Sequence, residues 1–155
     1  MFVRGEPMDS TERRKLTTGR LLSLIRGTRS SEEAVAWHAE NGEPALKDVL
    51  YDMMQRCGFN PKDMIRRCGI ERSYFYHILN GNKRPSRNMI LRIGFCLHAD
   101  LNEMERLLRL SDAAKLYPRI RRDALLIFAI QQKYTMEAAN ELLAREGEAR
   151  LYRND

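Results

Sequence analysis

Apolar residues along this chain recur mostly at three- and four-residue intervals, while period-two alternation is rare and β-branched residues are sparse, so the pattern predicts helices throughout. It is sharpest in the middle. Leu46, Val49, Leu50 and Met53 stripe one face of a helix that Gly58 stops. Asn60 followed by Pro61 reads as an N-cap and a first-turn proline, opening a short helix through Cys68 that ends at Gly69. A third helix is expected over Arg72 to Leu79, closed by Asn80-Gly81, and Ser86 caps a fourth whose Met89, Ile90, Ile93 and Leu97 face inward. Asn102 and Glu105 have capping-box spacing at the head of a fifth, with Met104, Leu107 and Leu108 as its stripe. Upstream, residues 1 to 15 read as an arm. Thr18 is expected to cap a helix through Arg26, and Ser31 with Glu32 and Glu33 to start another through about Glu40, with Ala34, Val35 and Trp37 docking the pair onto the main body. Downstream, ALLIFAI (124–130) is too continuous for a helix with one wet face, so burial on most sides is expected, within its own body or against another copy. Thr135 caps a last helix with Met136, Ala139, Leu142 and Leu143 inward, ending near Gly147. The expectation is an all-α protein in three segments: 1–44, an arm with short helices; 45–110, a compact five-helix bundle; and 111–155, a helical extension.

The 155 residues and 43% apolar content suit one good core plus an appendage. No run of 18 apolar residues occurs, and the charged start MFVRGEPMDSTERRK has no apolar stretch behind it, so neither a membrane span nor a signal peptide is expected and a cytoplasmic location is. Cys57, Cys68 and Cys96 are odd in number and form no CxxC pair. His38, His77 and His98 are scattered. Buried reduced thiols are therefore expected, with no metal site or cofactor. No nucleophile elbow, HExxH, phosphate loop or dinucleotide fingerprint is present, so neither an enzyme nor a small-molecule ligand is indicated.

Charge is local. Between Pro61 and Arg92 lie Lys62, Arg66, Arg67, Arg72, Lys83, Arg84, Arg87 and Arg92 against only Asp63 and Glu71, which accounts for the whole net charge of +6. A concentrated positive field suits a polyanion, though a solvated face in a basic protein would look the same. At 100° per residue, Phe75, Ile78 and Leu79 fall on one side of the third helix, Ser73, His77 and Asn80 on the other, and Arg72, Tyr74 and Tyr76 between.

A short helix, a turn at Gly69, a second short helix closing on Asn80-Gly81 and a proline four residues after that glycine resemble the helix-turn-helix of the phage-repressor and Cro family. The likeness spans about Leu46 to Leu108. In that family the second helix of the motif lies in the DNA major groove and the first crosses the backbone. The resemblance therefore implies a five-helix repressor-like fold in which Glu71, Arg72, Ser73 and His77 read bases, Arg72 foremost because guanidinium matches guanine O6 and N7. Lys62, Tyr74, Tyr76, Lys83, Arg84 and Arg87 are implied as phosphate contacts, and a homodimer is the family habit. For His77 an ordinary half-exposed helix histidine is the open alternative. The sequence departs from the family at Pro61, where a glutamine often contacts phosphate, at Met54 and Leu79, where an arginine–glutamate pair is usual, and at Glu71, an acid beside the expected polyanion.

The functional expectation is a sequence-specific double-stranded DNA binder in bacterial transcriptional control. About four neutralised phosphates per protomer would give a log K against log salt slope near about −3.6. The alternative is a protein-interaction module that keeps the scaffold but has lost base reading, using Tyr74, Tyr76 and the C-terminal helices. A third, less supported, is single-stranded RNA stacking on the tyrosines. The extension is expected to pack on the bundle, to build a dimer, or both. Arg119, Arg121 and Arg122 either extend the basic face or are balanced by Glu137, Glu141 and Glu146.

Overall fold

The structure is a computed structural model in which residues 16–153 are described. Those residues are helical with connecting turns and contain no strand. The chain divides into two compact units, Met1–Glu43 and Pro44–Asp155. The predicted arm over residues 1 to 15 lies outside the described residues.

In the first unit, α1 (Thr18–Arg26) and α2 (Ser31–Asn41) are capped by Thr17 and Ser30, one residue earlier than the sequence suggested, each hydroxyl accepting an amide three residues on. Neither helix buries a residue fully, and Val35 is 70% exposed.

The second unit is built from α3 (Leu46–Cys57), α4 (Pro61–Cys68), α5 (Arg72–Leu79), α6 (Arg87–Cys96), α7 (Leu101–Leu110), α8 (Arg121–Gln131) and α9 (Met136–Arg145). Its core follows the apolar stripes: Val49, Leu50 and Met53 of α3, Met64 of α4, Phe75 and Ile78 of α5, Ile90 and Ile93 of α6, and Met104, Leu107 and Leu108 of α7 are all buried. α6 is the central strut, packing on α4, α7 and α9. The end of the Met104 side chain lies against Gly94, so a Cβ there would oblige that thioether to shift.

One boundary differs from expectation. α7 is capped by Asp100, with a reciprocal capping box to Glu103, two residues before the predicted Asn102–Glu105 pair. Both pairs have the same spacing. The earlier one puts the helix start at Leu101 with Met104, Leu107 and Leu108 still inward, so packing cannot distinguish them in sequence.

The extension is continuous with the bundle's core rather than a separate body: Leu116, Leu126, Ala129, Leu143 and Leu151 join the same buried cluster. The ALLIFAI run is less buried than expected, with Leu126, Ala129 and Ile130 inside but Phe128 45% exposed, edge-on to Tyr134. Among the described residues no helix is long and apolar enough to cross a membrane.

The expectation of separate reduced thiols is corrected for two cysteines. Cys68 and Cys96 are disulfide-bonded between the last residues of α4 and α6, and Cys57 is the free cysteine among the described residues. A separation of 28 residues hid the pair. Helix packing brings the two Cα atoms to 6.0 Å, within the span of a disulfide.

Candidate nucleic-acid interface

α5 starts from an unusual cap. Both oxygens of the Glu71 carboxylate accept backbone amides, from Ser73 at 2.9 Å and Tyr74 at 2.8 Å. Glutamate is uncommon at this position, yet here it satisfies two of the orphan donors of the helix start. Those amide bonds, from Ser73 and then Tyr74, hold its pKa below the usual glutamate value. At the other end Gly81 adopts a left-handed φ of 76°, which releases the chain into the loop before α6.

The helix is two-faced as its sequence implied. Phe75, Ile78 and Leu79 are buried, Arg72, Ser73, His77 and Asn80 are exposed, and Tyr74 and Tyr76 are half-buried. Each tyrosine ring carries a cation: the Arg72 guanidinium lies 5.6 Å from the Tyr76 ring centre and the Lys83 ammonium 4.6 Å from that of Tyr74. Such contacts hold long side chains beside the exposed face of α5 without neutralising them.

α4 braces this helix. Asn60 and Asp63 form a capping box around Pro61, whose missing amide costs nothing at the first helical position. Lys62 is exposed and in no ion pair among the described residues. Arg66 reaches Asp63 at 3.3 Å, and Arg67 lies 4.5 Å over the Phe59 ring. The corner between α4 and α5 is tight: Gly69 takes a φ of 60°, and Ile70 donates back to the Ile65 carbonyl. Arg92, reaching across from α6, donates to the carbonyls of Cys68 at 2.6 Å and Gly69 at 3.1 Å, with the Tyr152 ring stacked on it at 4.7 Å. Burial pulls this guanidinium below the usual arginine value.

The expected phosphate contacts part company beyond the loop. Lys83 stands over Tyr74, and Arg84 is 2.7 Å from Asp112 in a pair whose side chains are 68% and 69% exposed. A pair that exposed holds its partners weakly. Arg87 is different, because its guanidinium is spent inside the protein. It forms a two-pronged bond to Asp123, at 3.1 and 3.0 Å, and also donates to the carbonyls of Ala114 and Lys115. Arg121 is balanced by Glu146 and Glu148, and Arg122 is held by Asn88 and the Ala149 carbonyl. Arg122 is also pulled below the usual arginine value, by burial and then by neighbouring Arg87.

No family model, curated protein or solved structure matches the chain.

Of the residues expected to read bases, Arg72, Ser73 and His77 are exposed, Ser73 and His77 on the side opposite the core and Arg72 on its flank, whereas the Glu71 carboxylate is turned back on its own helix. Met54 and Leu79, at the positions of the family's ion pair, are each 2% exposed, so apolar packing fills that place and no charge is stranded. Sequence reasoning missed Arg92 as the clamp of the α4–α5 corner. Its only signal was a cation one residue before buried Ile93 on a helix otherwise apolar at its centre.

Proposed function

We propose that the second unit carries a repressor-like helix-turn-helix, α4–corner–α5 within the bundle α3–α7, and that the protein is a sequence-specific double-stranded DNA binder in bacterial transcriptional control, acting in the cytoplasm. One observation carries this reading: α5 is held down by Phe75, Ile78 and Leu79 while its opposite side presents Ser73 and His77, flanked by the tyrosine-supported cations Arg72 and Lys83. An exposed guanidinium, hydroxyl and imidazole along one helix suit the donor and acceptor edges of a major groove. Arg72 is the foremost base reader. Lys62, Lys83 and Arg84 neutralise phosphates, with Arg84 leaving Asp112 to do so, and Tyr74 and Tyr76 offer hydroxyls at the rim. Glu71 serves as the cap that orients the reading helix.

Selection from a random duplex pool tests this, the expected result being an enriched motif, palindromic if the protein binds as a homodimer. Arg72→Ala should flatten the motif while leaving nonspecific binding. With about three phosphates engaged per protomer the salt slope should lie near about −2.7. Binding that ignores salt, or a pool without enrichment, refutes the proposal. A second reading, a protein-interaction module on this scaffold, is favoured by the exposed Phe128 and Ile120 of the extension. It predicts that Arg72→Ala changes nothing.

A further inference from the structure

The corner between α4 and α5 is fastened to α6 at one place by two different chemistries. Arg92 and Cys96 stand four residues apart on α6 and so share a face. The Arg92 guanidinium holds the carbonyls of Cys68 and Gly69, and the Cys96 sulfur is bonded to that of Cys68 itself. The two cysteines differ in access. Cys68 is 0% exposed, whereas Cys96 is only partly buried, with the Met136 thioether 3.7 Å from its sulfur. Immediately after Cys68 come the left-handed Gly69 and the Glu71 cap that together aim α5. Met64 of α4 and Ile90 and Ile93 of α6 also lie in one buried apolar cluster.

The geometry points to a reversible redox clasp: Cys68 and Cys96 exchange between dithiol and disulfide in the folded protein, and the disulfide stiffens the α4–α5 corner. A hydroperoxide supplies the oxidising equivalents. The Cys96 thiolate attacks the peroxide oxygen, giving a sulfenic acid and releasing the other oxygen as hydroxide or alkoxide, which takes up a proton. The Cys68 sulfur then attacks the sulfenic sulfur, its proton leaves with the departing hydroxyl as water, and the disulfide forms. A small dithiol reverses this: one thiolate attacks Cys96, the reachable sulfur, releasing the Cys68 thiolate, and its second thiolate then displaces the Cys96 thiolate from the mixed disulfide as the dithiol closes its own disulfide. For duplex binding alone, the consequence rests on the function proposed above: the oxidised protein should bind more tightly because its reading helix is pre-aimed.

The test uses the full chain, treated with hydrogen peroxide and then with dithiothreitol under native conditions. Alkylation in denaturant once the native treatment has been quenched, followed by mass mapping, should find Cys68 and Cys96 protected after peroxide and both labelled after dithiothreitol. Cys57 should serve as the unpaired reference. Hydrogen exchange at the amides of Ile70, Ser73 and Tyr74 should be slowed by about tenfold or more in the oxidised form, as expected when a local opening is closed off. Cys57→Ser should keep this difference. Cys96→Ser should lose it and match the reduced wild type, which itself provides the same comparison should that variant fail to fold. A pair that does not oxidise, one that dithiothreitol cannot reopen without denaturant, or equal exchange in both states overturns the clasp. Duplex affinity should fall by about three- to tenfold on reduction. A protein that binds no duplex in either state yet shows the exchange difference refutes the proposed function and supports the clasp.

Discussion

Removing the Arg87 side chain separates two roles for that residue. The family resemblance implies a phosphate contact; the structure makes it the counter-ion of Asp123, whose side chain is 3% exposed. Asp123 accepts two bonds from Arg87 and one from the Tyr117 amide at 2.9 Å, while Arg87 also ties down the carbonyls of Ala114 and Lys115. The cluster thus joins the head of α6, the segment after α7 and the first turn of α8. In Arg87→Ala the carboxylate keeps only the Tyr117 amide. Breaking a buried pair in this one-sided way costs about 3–5 kcal/mol. For a unit of this size the melting midpoint should fall by about 4 °C per kcal/mol, or about 12–20 °C in all. Asp123→Ala should cost less, because Arg87 retains 27% side-chain exposure through which it can rehydrate. The double variant should be milder than the sum, the signature of a coupled pair. Thermal and urea unfolding followed by circular dichroism measures all three. Duplex titrations below the variant's midpoint supply the contrast, since loss of a phosphate contact would make the salt slope shallower by about 0.9. An Arg87→Ala protein that melts within about 2 °C of wild type but shows that shallower slope would refute the internal role.

Three further outcomes follow from contacts elsewhere. Glu71 caps α5 as a carboxylate with a lowered pKa, so its contribution is present above the usual glutamate range and lost as pH falls through the lowered folded value; Glu71→Ala should lower the melting midpoint at neutral pH and remove that part of the acid dependence. Unchanged acid unfolding in the variant would count against it. Asn140 is 2% exposed and holds the Leu151 and Tyr152 amides and the Tyr152 carbonyl, so Asn140→Ala should cost about 1–3 kcal/mol and accelerate exchange at Leu151. Arg92→Met keeps the apolar stem but drops the donors to Cys68 and Gly69, and should speed amide exchange at Ile70 while leaving the α8 amides unaltered; equal effects at both would indicate general loosening.

Much of the chain's local structure was legible because local rules act within a turn or two. Asn60-Pro61, Ser86, Thr135 and the stopping glycines sit where helix ends need their acceptors or left-handed backbone, and the stripes of α3, α5, α6 and α7 are buried except at Leu46 and Met89, which are half-buried. The division of α5 was equally readable, since 100° per residue sorts its eight positions before any partner is known. The Asn102 cap failed because two identical spacings overlap in sequence. The full burial expected of ALLIFAI failed at Phe128 because apolar continuity says that neighbours are needed, not how many the fold supplies.

What the sequence by itself determined is therefore the helical class, the helix ends and the two faces of α5, all set by backbone geometry and side-chain periodicity over a few residues. Which cations remain available to a partner was decided only by the tertiary structure. Lys62, Lys83 and Arg87 carry the same formal charge in the same basic window, and nothing local distinguishes them. A carboxylate 36 residues beyond Arg87 takes that guanidinium inside, just as a sulfur 28 residues beyond Cys68 meets it across α6. Such pairings depend on which helices pack together, and a charge acquires its role from the partner that packing brings to it.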